Sequence, residues 1–229
     1  MIIYGVVHLK ALPGSPSNSK GLDEITKLAQ KDIENLHTAG VDGIIIENFG
    51  DVPFVKNDIS KRTLASFTSV VQNLEINSDF VRINVLNNVM MFTDQGIIEG
   101  EAHEIADFKK NLNNDIEIYA DVFVKHAVPP EGSKIENHAE ELINRAGADV
   151  VIVTGDGTGH QINMDDLTKV REIVPVGKLA IGSGVDHTNI NQYENIADIL
   201  IIGTSFKKDG NVENPVDIDT AKEVIGQLK

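Results

Sequence analysis

The sequence predicts an α/β protein of the (β/α)-barrel type, with parallel strands, in a single domain over residues 1–229. Short apolar segments alternate with amphipathic segments along the whole chain, which is the pattern of repeated strand–helix units on a parallel sheet. Several joints between predicted helices and strands share one local sequence, and no change in composition marks a domain boundary. Apolar residues are 41% of the chain but aromatic residues only 5%, as in strands buried on both faces.

Each element follows from its own hydrophobic pattern. Apolar runs predict strands at Ile2–His8, Gly43–Glu47, Phe80–Leu86, Ile116–Val124, Val150–Thr154, Leu179–Gly182 and Ile199–Gly203. Amphipathic segments predict helices at Asp23–Thr38, Ser60–Leu74, Glu101–Leu112, Ile135–Ala146, Met164–Ile173, Thr188–Asn195 and Asp217–Gln227.

The joints that lead into three of these strands are Ala39–Gly43, Ala146–Asp149 and Ile196–Asp198. In the first two, a glycine can end the helix in the left-handed conformation, and an aspartate then precedes the strand. Recurrence of this joint indicates repeated units, as in a barrel. The alternative is a doubly wound sheet, which often carries a glycine-rich dinucleotide loop after its first strand, and His8–Gly14 is not such a loop.

A complete barrel has eight strand–helix units, whereas this sequence predicts seven. The connection Asn73–Asp79 leads directly from the second helix to the third strand, so it has no room for another unit. The missing unit would leave unpaired edges on Gly43–Glu47 and Phe80–Leu86. We expect either direct pairing of these two strands in a closed seven-stranded barrel or a partner subunit over the gap, and the short connection favours direct pairing.

Composition and charge exclude several functions. The formal net charge of −15 argues against nucleic-acid binding, which depends on a basic surface. No apolar run approaches the roughly 18–20 residues that span a bilayer, and Met1–Val7 is predicted to be a strand rather than a signal peptide. The absence of cysteine excludes disulfides and thiolate sites, and it fits a cytoplasmic location. The histidines lack zinc-type spacing and no cofactor is evident, although Mg²⁺ held by Asp or Glu stays open.

Strand alternation predicts which side chains face the inside of the barrel. These are Arg82 and Asn84 on the third strand, and Asp121 and Lys125 on the fourth. Because buried charges need partners, we predict Arg82 and Asp121 within hydrogen-bonding distance of each other. The pair would either brace the barrel or orient a ligand and tune the pKa of Lys125.

Polar side chains also follow the carboxyl ends of several strands, where barrel enzymes place their catalytic groups. The candidates are His8, Glu47, Asn48, Lys125 and His126. Glycine-rich loops follow the last two strands and would bind phosphate through backbone N–H groups, unless they are ordinary tight turns. Their residues are Gly182, Ser183, Gly184, Gly203, Thr204 and Ser205, with Lys207 and Lys208 alongside. A third such loop begins with Thr154 and Gly155 and would be a lid or a flexible turn.

These segments together resemble the BtpA family, relatives of the ribulose-phosphate-binding barrels. The matching runs are Gly5–Leu9, Leu12–Pro16, Asp42–Asp51, Arg82–Leu86 (RINVL), Thr93–Gly100, Ala120–Ala127 (ADVFVKHA), Gly182–Val185, Gly203–Gly210 (GTSFKKDG) and Asn214–Asp217. Within Thr93–Gly100 we place Asp94 and Glu99 on the same rim of strand ends. The chain departs from the family at one place, since members carry a further strand–helix unit before the strand that holds Arg82.

The resemblance leaves two functions open. We expect an enzyme that acts on a small phosphorylated, sugar-like substrate by proton transfer, with acid, base and orientation from Asp121, Lys125, His126 or Glu47. Lys125 would alternatively form a Schiff base. The other function is a non-catalytic assembly factor that binds a protein partner, because the family is named for a role in photosystem I accumulation in cyanobacteria. That role implies peripheral membrane association, and a subunit covering the gap would make the protein a homo-oligomer.

Overall fold

The computed structural model describes residues 1–56, 58–74, 76, 79–87, 90–93, 95–112, 115–155 and 161–228. The strands are β1 Ile2–His8, β2 Gly43–Glu47, β3 Phe80–Ile83, β4 Met90–Thr93, β5 Gly96–Glu99, β6 Glu117–Asp121, β7 Ala127–Val128, β8 Val150–Val153, β9 Leu179–Ile181 and β10 Ile199–Ile202. The α-helices are α1 Leu22–Ala39, α2 Lys61–Asn73, α3 Ala102–Leu112, α4 Ile135–Glu141, α5 Met164–Ile173 and α6 Ile218–Ile225.

Seven strands form a parallel sheet in the order β2-β1-β10-β9-β8-β6-β3, with helices in the connections. The predicted fold class, a (β/α)-barrel type one unit short of eight, is therefore confirmed. Strands β8, β9 and β10 are buried at every residue, which explains their continuous runs of Val, Ile, Leu and Ala.

Strands β2 and β3 are the two ends of this order. In the described sheet β2 pairs with β1, β3 pairs with β6, and the two end strands do not pair with each other. This order contains no β2–β3 pair, and the expected closed seven-stranded barrel stays a prediction.

A second, three-stranded antiparallel sheet has the order β5-β4-β7. It pairs Phe92 with both Ile97 and Val128. This sheet could not be predicted from the sequence, because its strands are only two to four residues long and their apolar residues do not alternate with polar ones.

The chain divides into two compact units that interleave along the sequence. The first unit contains Met1, Ser78–Val185 and Gln192–Leu200. The second unit contains Ile2–Asn77, Asp186–Asn191 and Ile201–Lys229. The single domain over residues 1–229 stays a prediction.

The repeated joints have one structural role in both units. Gly40 ends α1 with a φ of 94°, as the pattern predicts. The aspartate that follows each joint accepts a hydrogen bond from a backbone N–H at the start of the neighbouring strand. These bonds run to Asp42 from Ile3 at 2.8 Å, to Asp149 from Ile118 at 2.9 Å, and to Asp198 from Leu179 at 3.0 Å. The joint thus fixes where neighbouring strands begin, which explains its recurrence.

Some predicted boundaries differ from the structure. The predicted helix Thr188–Asn195 is only a short 3₁₀ turn, at Ile190–Tyr193. The predicted helix Ile135–Ala146 is α-helical to Glu141 and continues as a π-helical turn over Leu142–Ala146. The third and fourth predicted strands end early, at Ile83 and Asp121, because apolar residues continue into loops where they pack without extended backbone.

Candidate functional site

A buried ion pair lies at the ends of β3 and β6 in the first unit. Arg82 Nε and Nη2 donate to the two carboxylate oxygens of Asp121, each at 2.8 Å. The Asp121 side chain is 0% exposed and that of Arg82 is 14% exposed. The prediction that strand alternation would bring these two residues together is confirmed, and the bidentate geometry fixes the guanidinium plane.

The guanidinium lies against the backbone at the end of β9. A Cβ atom on Gly182 would be 3.1 Å from Arg82 Nη2 and 2.9 Å from Thr154 Cγ2, so a side chain at Gly182 would crowd both. Ser183 Oγ accepts a hydrogen bond from the Gly155 N–H at 3.0 Å, which joins the loops after β8 and β9. The described part of the first unit therefore brings four strand ends, those of β3, β6, β8 and β9, to one place.

A narrow cleft adjoins Asp121. Two residues that line it, Asn87 and His138, were not predicted from the sequence. The cleft is lined by Asn84, Asn87, Asp121, Phe123 and His138, among others. Its volume of about 10 Å³ has room for about one water molecule. Asn87 Nδ2 lies 3.5 Å from His138 Nδ1.

Burial lowers the pKa of His138, although the charge of Glu141 acts to raise it. The imidazole is therefore neutral at pH 7 and can accept a proton. His138 lies on α4 rather than after a strand. No spacing between the histidines of the sequence distinguishes it, so only the structure identifies it.

Lys125 and His126 lie in the turn after β6 rather than on the strand. Phe123 and His126 have positive φ angles of 56° and 60°, so the extended backbone from which Lys125 was predicted to face inward is interrupted. That orientation of Lys125 therefore no longer follows from strand alternation, whereas the proposed roles of Lys125 and His126 stay predictions. Lys125 is half-buried and His126 exposed.

In the second unit, His8 and Glu47 lie side by side at the ends of β1 and β2. Their Nε2 and Oε2 atoms are 3.7 Å apart, and the ring of Phe49 lies 4.9 Å from the His8 ring. A Cβ atom on Gly203 would be 2.9 Å from His8 Cε1, so the chain passes close to the imidazole there. Asn48 Nδ2 donates to Asp51 Oδ2 at 3.0 Å.

Lys207 is not a rim group with an exposed ammonium. Its side chain is 1% exposed, and its Nζ donates to Asp32 Oδ2 on α1 at 2.7 Å. Asp32 Oδ1 also accepts the Val216 N–H at 2.8 Å. Burial lowers the pKa of Lys207 while Asp32 acts to raise it, and the contact braces α1 against the segment after β10.

The remaining predicted positions divide between the two units. Gly182, Ser183 and Gly184 belong to the first unit, whereas Gly203, Thr204 and Ser205 belong to the second, where Thr204–Phe206 forms a 3₁₀ turn. Asn84, just after β3, and Glu99, the last residue of β5, are exposed. Asp94 lies outside the described residues, as does the rest of the third glycine-rich loop, 156–160.

Two features are absent from the described residues. These residues contain no group of three or more His, Cys, Asp or Glu residues arranged to hold a metal ion. None of the helices they form has the length and hydrophobicity to cross a bilayer. Bound Mg²⁺ and the cytoplasmic location stay predictions.

Comparisons with known proteins agree with this architecture. The sequence model of the BtpA family matches residues 1–78 and 74–229. An uncharacterized protein of Methanocaldococcus jannaschii is 38% identical over 97% of this chain and 93% of its own. The photosystem I biogenesis protein BtpA of Synechocystis sp. is 34% identical over 94% of this chain and 83% of its own.

The comparisons also locate the missing unit. The alignment to the M. jannaschii protein runs over 248 positions, while 97% of this 229-residue chain is only about 222 residues, so about 26 positions have no counterpart here. The two segments that match the family meet at residues 74–78, within the connection from α2 to β3. About 26 residues is the length of one short strand–helix unit.

Among solved structures, 3-hexulose-6-phosphate synthase from Salmonella typhimurium has a TM-score of 0.60 with 12% identity, over 100% of this chain and 98% of its own. At that identity the likeness shows the fold alone.

Proposed function

The chain belongs to the BtpA family, and from that premise we propose that it is an enzyme that binds a small phosphorylated, sugar-like metabolite and acts on it by proton transfer. The observation that carries the proposal is the buried Arg82–Asp121 pair against the Gly182 backbone. A purely structural protein has little need of a charged pair at converging strand ends, since apolar residues of similar volume there would be at least as stable.

The phosphate group would bind at the Gly182–Gly184 loop. Glycine lets a phosphate approach the backbone N–H groups, and Gly184 has a φ of 71° that leaves this short loop strongly turned. The chain carries a net charge of −15, so an anion depends on hydrogen-bond donors close by, and the Arg82 guanidinium, held in place by Asp121, lies against Gly182.

The proton-transfer groups follow from the same geometry. Both Asp121 oxygens accept from Arg82, so Asp121 acts as a positioning residue that holds the guanidinium. His138, whose pKa is lowered by burial, is neutral near pH 7 and shares a cleft with Asp121. Among the described residues of the first unit, His138 is the general base we propose. Lys125 and His126 in the adjoining turn are the next candidates.

The solved neighbour supports the substrate class, because its name specifies the synthesis of a hexulose phosphate. This support is an analogy between folds, and one fold serves many chemistries. The site geometry therefore has to be tested directly.

The test introduces a negative charge at the loop with a matched neutral control. Asp and Asn both tolerate positive φ, so Gly184→Asp and Gly184→Asn alter the backbone equally and differ only in charge. A thermal-shift screen of phosphorylated metabolites should find ligands that stabilise the wild type and Gly184→Asn, by about 2.7 kcal/mol at a hundred times the dissociation constant. Gly184→Asp should lose that stabilisation. Equal stabilisation of both variants would exclude the loop, and an empty screen would count against the enzyme.

The alternative, an assembly factor that binds a protein partner, has its own observations. The Synechocystis relative is named a photosystem I biogenesis protein. In the first unit, the small sheet exposes Met90, Phe92, Ile97 and Val128, of which Val128 is 65% exposed. Grouped exposed apolar residues are typical of protein-binding surfaces. An empty metabolite screen, together with loss of partner binding in Phe92→Ser, would favour this function.

A further inference from the structure

The second unit contains a cleft of about 450 Å³, within the range of small-molecule sites. It is formed by the segment after β1, the turn after β2 and the segment after β10. Its functional side chains are Lys10, Ser17, Ser19, Lys20, Phe49 and Glu213. None of these residues belongs to the site proposed above, which lies in the first unit.

The walls of this cleft are held in place by buried contacts. The Gly50 N–H donates to the Leu9 carbonyl at 3.0 Å, and a Cβ atom on Gly50 would lie 2.3 Å from the Ala11 nitrogen. The Leu12 N–H donates to Asp51 Oδ1 at 2.7 Å, and Asp51 is 7% exposed. The segments after β1 and β2 are therefore preorganised, which reduces the entropy that binding would cost.

The cleft contains side chains of three chemical kinds: ammonium groups, the Glu213 carboxylate and the Phe49 ring. Lys10 and Lys20 supply the ammonium groups, and their side chains are about one-third exposed. Lys10 Nζ donates to Glu213 Oε2 at 2.8 Å, and Lys20 Nζ donates to Glu24. Exposed ion pairs of this kind are weak, so a ligand anion can replace the carboxylates. Phe49 supplies an apolar ring surface.

We infer that this cleft binds a small hydroxylated organic phosphate, with its phosphate on Lys10 and Lys20, its hydroxyl groups on Glu213 and its ring against Phe49. A bound phosphate explains why two cationic side chains line the cleft. Hydroxyl groups that donate to Glu213 explain the carboxylate in the same cleft. The inference goes beyond the proposed function, since it stands on different residues.

Isothermal titration calorimetry with ribose 5-phosphate tests the inference, with ribose and inorganic phosphate as partial ligands. The wild type should bind ribose 5-phosphate more tightly than either partial ligand. Lys10→Gln and Lys20→Gln should each raise its Kd at least about tenfold, the effect of losing one charge-assisted hydrogen bond. Lys31→Gln is the matched control, because Lys31 is an exposed lysine paired with Glu34 on α1 of the same unit. It should leave the Kd unchanged.

The outcomes separate this cleft from the Gly184 loop. Binding that Lys10→Gln weakens and Gly184→Asp leaves intact supports the cleft. Binding that Gly184→Asp abolishes and Lys10→Gln leaves intact overturns the inference and keeps the proposed function. Equal weakening by Lys31→Gln, or no binding of ribose 5-phosphate to the wild type, also overturns it.

Discussion

At the scale of single residues, the Arg82–Asp121 pair carries the largest electrostatic cost in the candidate site. The Asp121 carboxylate is 0% exposed, and both of its oxygens accept hydrogen bonds from the Arg82 guanidinium, as a buried charge requires. Removing either partner leaves the other charge buried and uncompensated. The pair thus contributes little net stability, whereas replacing one of its residues should strongly destabilise the fold.

Arg82→Gln should lower the free energy of unfolding by about 3–5 kcal/mol, because Asp121 loses its partner in the interior. Urea unfolding followed by circular dichroism measures the change. Lys169→Gln is the control, since it breaks an exposed pair with Asp166 at 3.3 Å and should cost less than about 1 kcal/mol. Equal losses in the two variants would show that the buried geometry is wrong.

His138 should titrate below its ordinary pKa of 6.5, because burial disfavours the imidazolium more than Glu141 favours it. The unfolded chain then binds more protons than the folded chain as pH falls through 6.5. The free energy of unfolding should therefore decrease as pH falls from 6.5 towards the folded pKa. An NMR titration of the ring gives the pKa directly. In His138→Asn, the stability lost between about pH 7.5 and about pH 5.5 should be smaller, and an unchanged loss would contradict the assignment.

The two halves of this site differ in how far the sequence predicts them. Arg82 and Asp121 stand at alternate positions of apolar strands, where a charged residue is conspicuous and its direction follows from the pleat. His138 stands on a helix and is one of seven histidines without informative spacing. Its place in the same cleft as Asp121 depends on how α4 packs, which no local pattern encodes.

At the scale of elements, the helix–strand joints are the part of the fold that the sequence predicts best. Their aspartates accept backbone N–H groups of neighbouring strands, so a local motif also encodes a tertiary contact. Such a side chain satisfies a donor at the beginning of a buried strand, where water is scarce.

The end of β6, by contrast, is not marked by the sequence. The apolar alternation continues past Asp121, but the positive φ of Phe123 ends the strand, and the sequence has no glycine there to mark the turn.

Asp149→Ala should lower the free energy of unfolding by about 1–3 kcal/mol, because the buried Ile118 N–H loses its acceptor. Asp149→Asn is the matched variant, since its carbonyl oxygen still accepts that bond. Both substitutions remove the ion pair with Lys109 at 3.2 Å, so their difference isolates the hydrogen bond. Chemical denaturation should show Asn close to the wild type and Ala well below it. Identical values would mean that the joint has no such role.

At the scale of the whole molecule, the missing strand–helix unit is the main departure from the family. The sequence predicts its absence from the length of one connection, but how the sheet ends depends on strand stagger, which the sequence leaves open. The structure shows β3 with a neighbour on one side, and Val81 on it is 37% exposed. Helix α3, which follows in the same unit, has no buried residue, and its Phe108 is 65% exposed.

An end strand of the described sheet, together with exposed apolar side chains in the same unit, favours association with another chain. We therefore expect the wild type to sediment, in analytical ultracentrifugation, at more than its monomer mass of 24.9 kDa, with a fraction that grows with concentration. Val81→Lys should shift the protein towards the monomer, because a charged side chain on an edge strand opposes pairing with a second strand. Val176→Lys is the control, since Val176 is 90% exposed in a loop and the substitution adds the same charge away from the edge. A monomeric wild type at all concentrations would leave the β3 edge facing water, and a shift of equal size in both variants would assign the effect to net charge instead of the edge.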